Sequence, residues 1–219
     1  MMTCAHSAKR LLAYTLYVPQ DKEFHGAHAR NYNKRPSFWS SKSLVDSERL
    51  QLKPGQRLLD VGCGTGTDLE KLLARYGNDV SLYGVDPSED MLRQAPEALA
   101  KNKNVRLDQA TALDLPYASS YFDFVTCSLV LHHLQGADQQ KALQEMRRVL
   151  KPGGVVLIKD WGRPRNVFGR FIAWLWHNHA YVSKSTSKDW PTTLKQAGFK
   201  QVEIVSVKRG IMYQLAATK

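Results

Sequence analysis

Cysteine is scarce, with only Cys4, Cys63 and Cys127 in 219 residues. No pair has Cys-x-x-Cys spacing and no histidine cluster lies beside one. A disulfide framework and a zinc site are therefore both unsupported, no metal is expected, and a reduced cytoplasmic compartment is the simplest expectation. Long apolar runs are missing too, since no stretch reaches the roughly 18 consecutive apolar residues of a membrane span. Met1–Lys9 has no apolar run followed by a small-residue cleavage site, so a signal peptide is not expected. Acidic side chains are in the minority, 20 against 31 basic, for a net charge of +11. Hydrophobic residues at 43% and charged residues at 23% lie near globular averages and exclude wholesale disorder. The length favours one domain with elaborations, 1–219, over two full domains.

The positive charge is concentrated at the ends. Residues 1–56 carry +5, residues 57–158 carry −2 and residues 159–219 carry +8. Basic ends of this kind can attract nucleic acid, an anionic membrane surface or an acidic substrate, or can serve solubility alone.

The centre alternates short aliphatic or β-branched runs with longer helical patterns. Segments 57–61, 80–85, 104–107, 122–128 and 154–160 read as buried strands, and 68–76, 88–100 and 138–150 as helices. Ser88 is a candidate N-cap, and Pro152-Gly153-Gly154 is a stop signal after Leu150. Such alternation implies an α/β fold, a mostly parallel sheet with helices on both faces. Further along, 166–182 and 190–197 read as helices. Segments 201–207 and 211–216, joined by Lys208-Arg209-Gly210, read as a C-terminal antiparallel hairpin that completes seven strands. Near the start, 8–18 and 41–52 have helical patterns.

Leu58-Leu59-Asp60-Val61-Gly62-Cys63-Gly64-Thr65-Gly66 is the most informative segment. A buried strand ends in three glycines at alternate positions, and a helix follows directly. Such a loop turns main-chain N–H groups toward a ligand at a helix N-terminus. Its G-x-G-x-G spacing departs from the dinucleotide fingerprint G-x-G-x-x-G and suits a ligand without a pyrophosphate. Asp60 offers an acceptor to a cationic amino group. Asp86, in Tyr83-Gly84-Val85-Asp86-Pro87, ends the next strand, where a carboxylate can accept from both ribose hydroxyls. Alone, the loop reads as a tight turn and Asp86 as a turn residue; together they point to a nucleoside-bearing ligand.

These residues resemble the motifs of the class I S-adenosylmethionine-dependent methyltransferases. Asp60–Gly66 is similar to the family's first motif, and Gly84-Val85-Asp86-Pro87-Ser88 followed by Met91 to its ribose motif. Leu113-Asp114-Leu115-Pro116-Tyr117 and Tyr121–Val125 resemble its adenine region and fourth strand. Ser128–Leu134, with Leu131-His132-His133, and Glu145–Gly154 complete a run covering about residues 55–160 in the family's order. Among relatives, the quinone- and small-molecule-methylating branch is the most similar.

The resemblance implies a Rossmann-like seven-stranded fold and S-adenosyl-L-methionine as cofactor. It places Asp60, Gly62, Cys63, Gly64, Thr65 and Gly66 around the methionine part. Asp86 and Pro87 fall at the ribose, Met91 beside the adenine, and Ser128 at the end of the fourth strand. Where the family has an acidic residue before alanine, this chain has Thr111-Ala112; the Thr111 hydroxyl can accept from the adenine amino group, but without charge. Asp108 is the alternative acceptor if the loop is shifted, or a plain strand-end residue.

Methyl transfer is an in-line displacement in which alignment does most of the work, and a base is needed only where the acceptor must lose a proton. His132 and His133 follow the fourth strand and suit base work, or else orient the next helix. Relatives often place a tyrosine over the cofactor, which singles out Tyr32 as a further catalytic candidate or an ordinary surface aromatic.

The resemblance divides the chain into a helical cap (1–52), the cofactor-binding core (55–160), a substrate-side helical insertion (161–199) and the closing hairpin (200–219). In the insertion, Phe168, Phe171, Ile172 and Leu175 form one apolar stripe, with Trp174, Trp176 and Tyr181 elsewhere beside Arg163, Arg165 and Arg170. Segment 163–181 is then a lid packing on the domain, or an interfacial helix giving peripheral contact with a membrane.

The favoured function is methylation of a small-molecule acceptor, apolar and quinone- or lipid-like. A nucleic-acid methyltransferase is the enzymatic alternative. Amino-methylating relatives of that kind carry an Asn/Asp-Pro-Pro-aromatic tetrapeptide where this chain has Ser128-Leu129-Val130-Leu131, so no nucleic-acid partner is favoured. The glycine spacing speaks against a nicotinamide oxidoreductase. A catalytically silent cofactor-binding subunit is the alternative from a different class.

Overall fold

The computed structural model describes residues 43–175 and 188–219. Tyr32, Trp176, Tyr181 and the helix expected at 8–18 lie outside them.

The strands are β1 (Arg57–Val61), β2 (Ser81–Asp86), β3 (Val105–Gln109), β4 (Phe122–Ser128), β5 (Leu150–Trp161), β6 (Lys200–Lys208) and β7 (Met212–Thr218). They form one seven-stranded sheet in the order β3-β2-β1-β4-β5-β7-β6. The first five are parallel, and β7 runs antiparallel between β5 and β6. This is the α/β architecture read from the sequence, with its C-terminal hairpin.

Side chains alternate across the sheet, so neighbours on one strand enter different cores. Leu59 and Val61 join Val85, Phe122, Val125 and Cys127 against Ala142, Leu143 and Met146 of α4 (Ala137–Val149). Leu58 and Leu82 face the other way, onto Leu69 and Leu72 of α1 (Thr67–Tyr76), beside Leu44 and Leu50. Trp190, which opens α6 (Trp190–Gln196), is fully buried in the first core, and its Nε1–H donates to the Trp161 carbonyl at 2.6 Å.

Three expectations are corrected. Segment 41–52 is not a helix: in its described part, one 3-10 turn, Leu44–Asp46, is followed by irregular chain. The Ser43 and Ser47 hydroxyls accept from the Val45 and Arg49 N–H groups, which competes with helical pairing. Segment 88–100 splits into α2 (Glu89–Leu92) and α3 (Glu97–Ala100), because Pro96 cannot donate inside a helix and instead begins the second piece. The Pro152-Gly153-Gly154 signal does end α4, yet β5 already starts at Leu150. Leu150 pairs with Phe122 and Val155 with Phe124, so the intervening residues bulge opposite Asp123.

Candidate active site

The sheet changes winding direction between β1 and β4, and such a switch point opens a crevice at the carboxyl ends of the strands. Asp60 on β1 lies in register with Thr126 on β4 at this place. The Thr126 hydroxyl donates to Asp60 Oδ1 at 2.7 Å, and both residues are buried. No Lys or Arg among the described residues pairs with Asp60. Burial, then the Asp68 charge and to a smaller degree that of Asp86, push its carboxyl up to about 8, against the bond from Thr126.

The glycine loop is tied down to β2. Gly62 and Cys63 both donate to the Val85 carbonyl, at 2.8 and 3.0 Å. Asp86, at the end of β2, accepts from the Gly64 N–H through Oδ2 at 2.9 Å and from the Ser88 N–H through Oδ1 at 2.8 Å. Asp86 therefore shapes the loop from the end of β2. The Ser88 hydroxyl caps α2 through the Met91 N–H, as expected, and buried Met91 lies beside Gly64.

Gly62 has φ +73°, and a Cβ there would land inside the Val130 side chain. The loop and the turn after β4 are thus fitted to each other. Gly62→Ala is expected to lower stability by about 1–3 kcal/mol through overpacking, with left-handed strain adding to it. Val130→Ala in the same chain should restore much of the thermal midpoint; a double variant no better than Gly62→Ala would show that the clash is not the cause.

The remaining predicted cofactor residues lie on the glycine loop, just after β2 and β3, and at the end of β4. Thr65 is buried and its hydroxyl lies 3.2 Å from that of Thr67. Cys63 is buried, which raises its thiol well above the usual range and makes it packing rather than a nucleophile. The Pro87 carbonyl accepts from Gln109. Thr111 spends its hydroxyl on the Leu113 N–H at 3.3 Å, as a turn former, and Ala112 is buried behind it. Ser128 ends β4. Asp108 is not a shifted substitute for Thr111: it lies on β3, held by both ends of the Arg106 guanidinium and by the Tyr117 hydroxyl.

His132 and His133 occupy a 3-10 turn, Leu131–His133, just past β4, with ring centroids 4.0 Å apart. Their surroundings differ. His132 Nδ1 is 2.9 Å from Asp160 Oδ1, near the end of β5, and Asp160 is completely buried. His133 is pushed down to about 4 by burial and by its neighbour His132, so it is a weak proton acceptor near neutrality. Asp160 and Thr126 are the site residues that sequence reasoning missed. Asp160 had a readable signal, since it ends a predicted strand as Asp60 and Asp86 nearly do. Thr126 had none, because its place opposite Asp60 follows from strand register alone.

The geometry is that of a nucleoside-binding crevice in a doubly wound α/β enzyme. A family profile described as "Methyltransferase domain" matches residues 58–154. The chain is 31% identical to a demethylmenaquinone methyltransferase of Bacillus mycoides over 74% of its length and 77% of the relative's. It is 32% identical to one of Staphylococcus carnosus, over 74% and 75%. Among solved structures it resembles a methyltransferase described as SAM-dependent from Aquifex aeolicus, with TM-score 0.61, 24% identity and 95% and 97% of the two chains covered. It also resembles phosphoethanolamine N-methyltransferase 2 of Haemonchus contortus in complex with S-adenosyl-L-methionine, with TM-score 0.62 and 20% identity. That match covers 77% of this chain but only 50% of the other. The chain belongs to the class I S-adenosylmethionine-dependent methyltransferases. The residues present fit that cofactor, because its α-ammonium group would give the buried Asp60 carboxyl the positive partner that no described Lys or Arg supplies, and would favour its ionised form.

Proposed function

We propose that the chain methylates a small apolar acceptor of quinol type, with S-adenosylmethionine as donor. The observation that carries the acceptor class is the 31% identity to a demethylmenaquinone methyltransferase across 74% of the chain. In this reading Asp60 and the loop Gly62, Cys63, Gly64, Thr65 and Gly66 hold the amino-acid end. Asp86 with Pro87 holds the ribose, Met91 with Thr111 and Ala112 borders the adenine, and Ser128 completes the cofactor site from the end of β4. Bound there, the cofactor supplies a methyl group on a positive sulfur, transferred as the acceptor's electron pair displaces the thioether. His132 takes the acceptor's proton, while His133 packs the turn.

The test is transfer of labelled methyl from the donor to a panel of naphthoquinols and phenols, with DNA and RNA as controls. Label in a quinol or phenol supports the reading. Label in nucleic acid, or cofactor binding with no transfer, overturns it.

A second reading concerns where the acceptor is met. No helix among the described residues is long and apolar enough to cross a membrane. On α5 (Val167–Leu175), Ile172 packs inward with Trp161, Ile211 and Met212. Val167 is 82% exposed, Phe168 52%, Phe171 51% and Trp174 68%, so the expected single stripe is divided between two faces. Arg163, Arg165 and Arg170 are also exposed, and 161–175 contains no acidic residue. An apolar face bordered by arginines suits peripheral contact with an anionic membrane on the cytoplasmic side, at about 1 kcal/mol per basic residue near the surface. Binding to anionic vesicles at low salt, abolished by replacing Phe171 and Trp174 with Glu, is expected; equal binding by that variant would contradict it.

A further inference from the structure

We propose that Asp160 is the positioning residue for His132, fixing the proton on Nδ1 so that Nε2 receives the acceptor's proton. The inference rests on the methyltransferase reading above and narrows it to acceptors that must lose a proton.

The chain leaves β4 through Leu129, whose φ of +58° is unusual for a residue with a bulky side chain. The Leu129 N–H donates to the Lys159 carbonyl at 2.8 Å, which pulls the turn over the end of β5. Gln139, buried on α4, donates to the Leu131 carbonyl at 3.0 Å and holds the turn from the other side. Asp160 then meets the turn twice: Oδ2 accepts from the His132 backbone N–H at 3.1 Å, and Oδ1 lies 2.9 Å from the ring Nδ1. Oδ1 also accepts from the Trp161 N–H at 2.7 Å, so the carboxylate itself is fixed from behind.

A carboxylate can only accept, so the ring nitrogen facing it must donate. Nδ1 therefore carries the proton, and the lone pair of Nε2 is free to act as a base. The proton balance closes with solvent as the final acceptor. The acceptor's hydroxyl or acidified C–H passes its proton to Nε2, and the electron pair left behind attacks the methyl carbon. The carbon–sulfur bonding pair returns to sulfur, and the imidazolium, stabilised by Asp160, later gives its proton to solvent.

A simple capping role for Asp160 would explain the backbone contact but would place no demand on the ring. Asp160→Asn separates the two roles. The amide oxygen can still accept from the His132 N–H, while its NH2 can donate to Nδ1 and drive the proton to Nε2, at the loss of the bond that Oδ1 accepts from the Trp161 N–H. With imidazole-15N-labelled protein, the wild type should show His132 protonated on Nδ1, and Asp160→Asn should show a shift toward Nε2. The same variant should lose kcat by at least about 100-fold, with S-adenosylhomocysteine affinity and the KM for donor within about threefold. An unchanged tautomer, or a kcat within about threefold of wild type, overturns the proposal.

Should Asp160→Asn fail to fold, Asp160→Glu keeps the charge but displaces it, and should lose about tenfold in kcat at unchanged KM. Wild-type kcat in that variant overturns the proposal as well. If the wild type methylates no proton-bearing acceptor, the functional reading fails, yet the tautomer measurement still decides the role of Asp160.

Discussion

Replacing His132 with Gln is expected to lower kcat for a hydroxyl-bearing acceptor by about 10²–10⁴-fold, the usual worth of a positioned base. Gln fills similar space and its carbonyl can accept a hydrogen bond, but it cannot hold a proton near neutrality. Its side-chain amide can still donate to Asp160, so that buried carboxylate keeps a partner and the turn keeps its shape. Cofactor affinity should therefore change little, because Asp60, the glycine loop and Asp86, proposed to hold its amino-acid and ribose parts, lie on β1, after it and on β2. His133→Gln serves as the comparison: a ring pushed down to about 4 by burial is already neutral, so its loss should act mainly on stability. Single-turnover rates for both variants, with bound cofactor measured separately, check this. Equal kcat losses for His132→Gln and His133→Gln would contradict the assignment.

Asp60→Asn is expected to weaken binding of S-adenosylhomocysteine by about 1.5–3 kcal/mol, roughly ten- to a hundredfold in Kd. Asn still accepts from the Thr126 hydroxyl but offers no charge to an ammonium group. The pH dependence is as diagnostic as the loss. In the folded chain the Asp60 carboxyl is raised from 3.8 to about 8, so between those values the folded state holds a proton that the unfolded state has released. Stability of the unliganded protein from this group therefore falls as pH rises through that window. Asp60→Asn removes the penalty and should equal or exceed the wild type in stability, most clearly on the alkaline side. Cofactor binding works in the opposite direction, because the ammonium favours the ionised carboxylate. Wild-type affinity should rise with pH up to about 8, by as much as about tenfold per unit, and binding should release a proton. Calorimetry in buffers of different ionisation enthalpy reads that proton, and in Asp60→Asn it should vanish.

The centre of the sheet was legible because β1 and β2 are short, largely buried runs bounded by turns, and because Asp60, the three glycines and Asp86 sit where a parallel sheet presents its carboxyl ends; β3, expected to be buried, has no fully buried residue. Expectations failed where local signals compete. Ser43 and Ser47 turn an apolar pattern into irregular chain, and Pro96 cuts a helix whose periodicity continues past it. Side-chain pairs between strands were beyond reach: the Thr126–Asp60 bond depends on register, and the His132–Asp160 pair on a left-handed Leu129 that bends the chain toward β5. The stripe on α5 was misjudged for a related reason. Helical spacing groups Phe168 with Ile172, but only docking against Trp161 and Met212 decides which of them is covered.

In the proposed function, the crevice between β1 and β4 binds the methyl donor through Asp60 and delivers its methyl group to a proton-bearing, quinol-type acceptor. Label transfer from methyl-labelled S-adenosylmethionine to a demethylated naphthoquinol, followed by mass spectrometry in wild type and Asp60→Asn, tests it most directly. A singly methylated quinol is expected from the wild type, and recovery of the variant's rate only at much higher donor concentration. Undiminished transfer by Asp60→Asn at low donor, or a wild type that binds the donor and methylates no such acceptor, would contradict it.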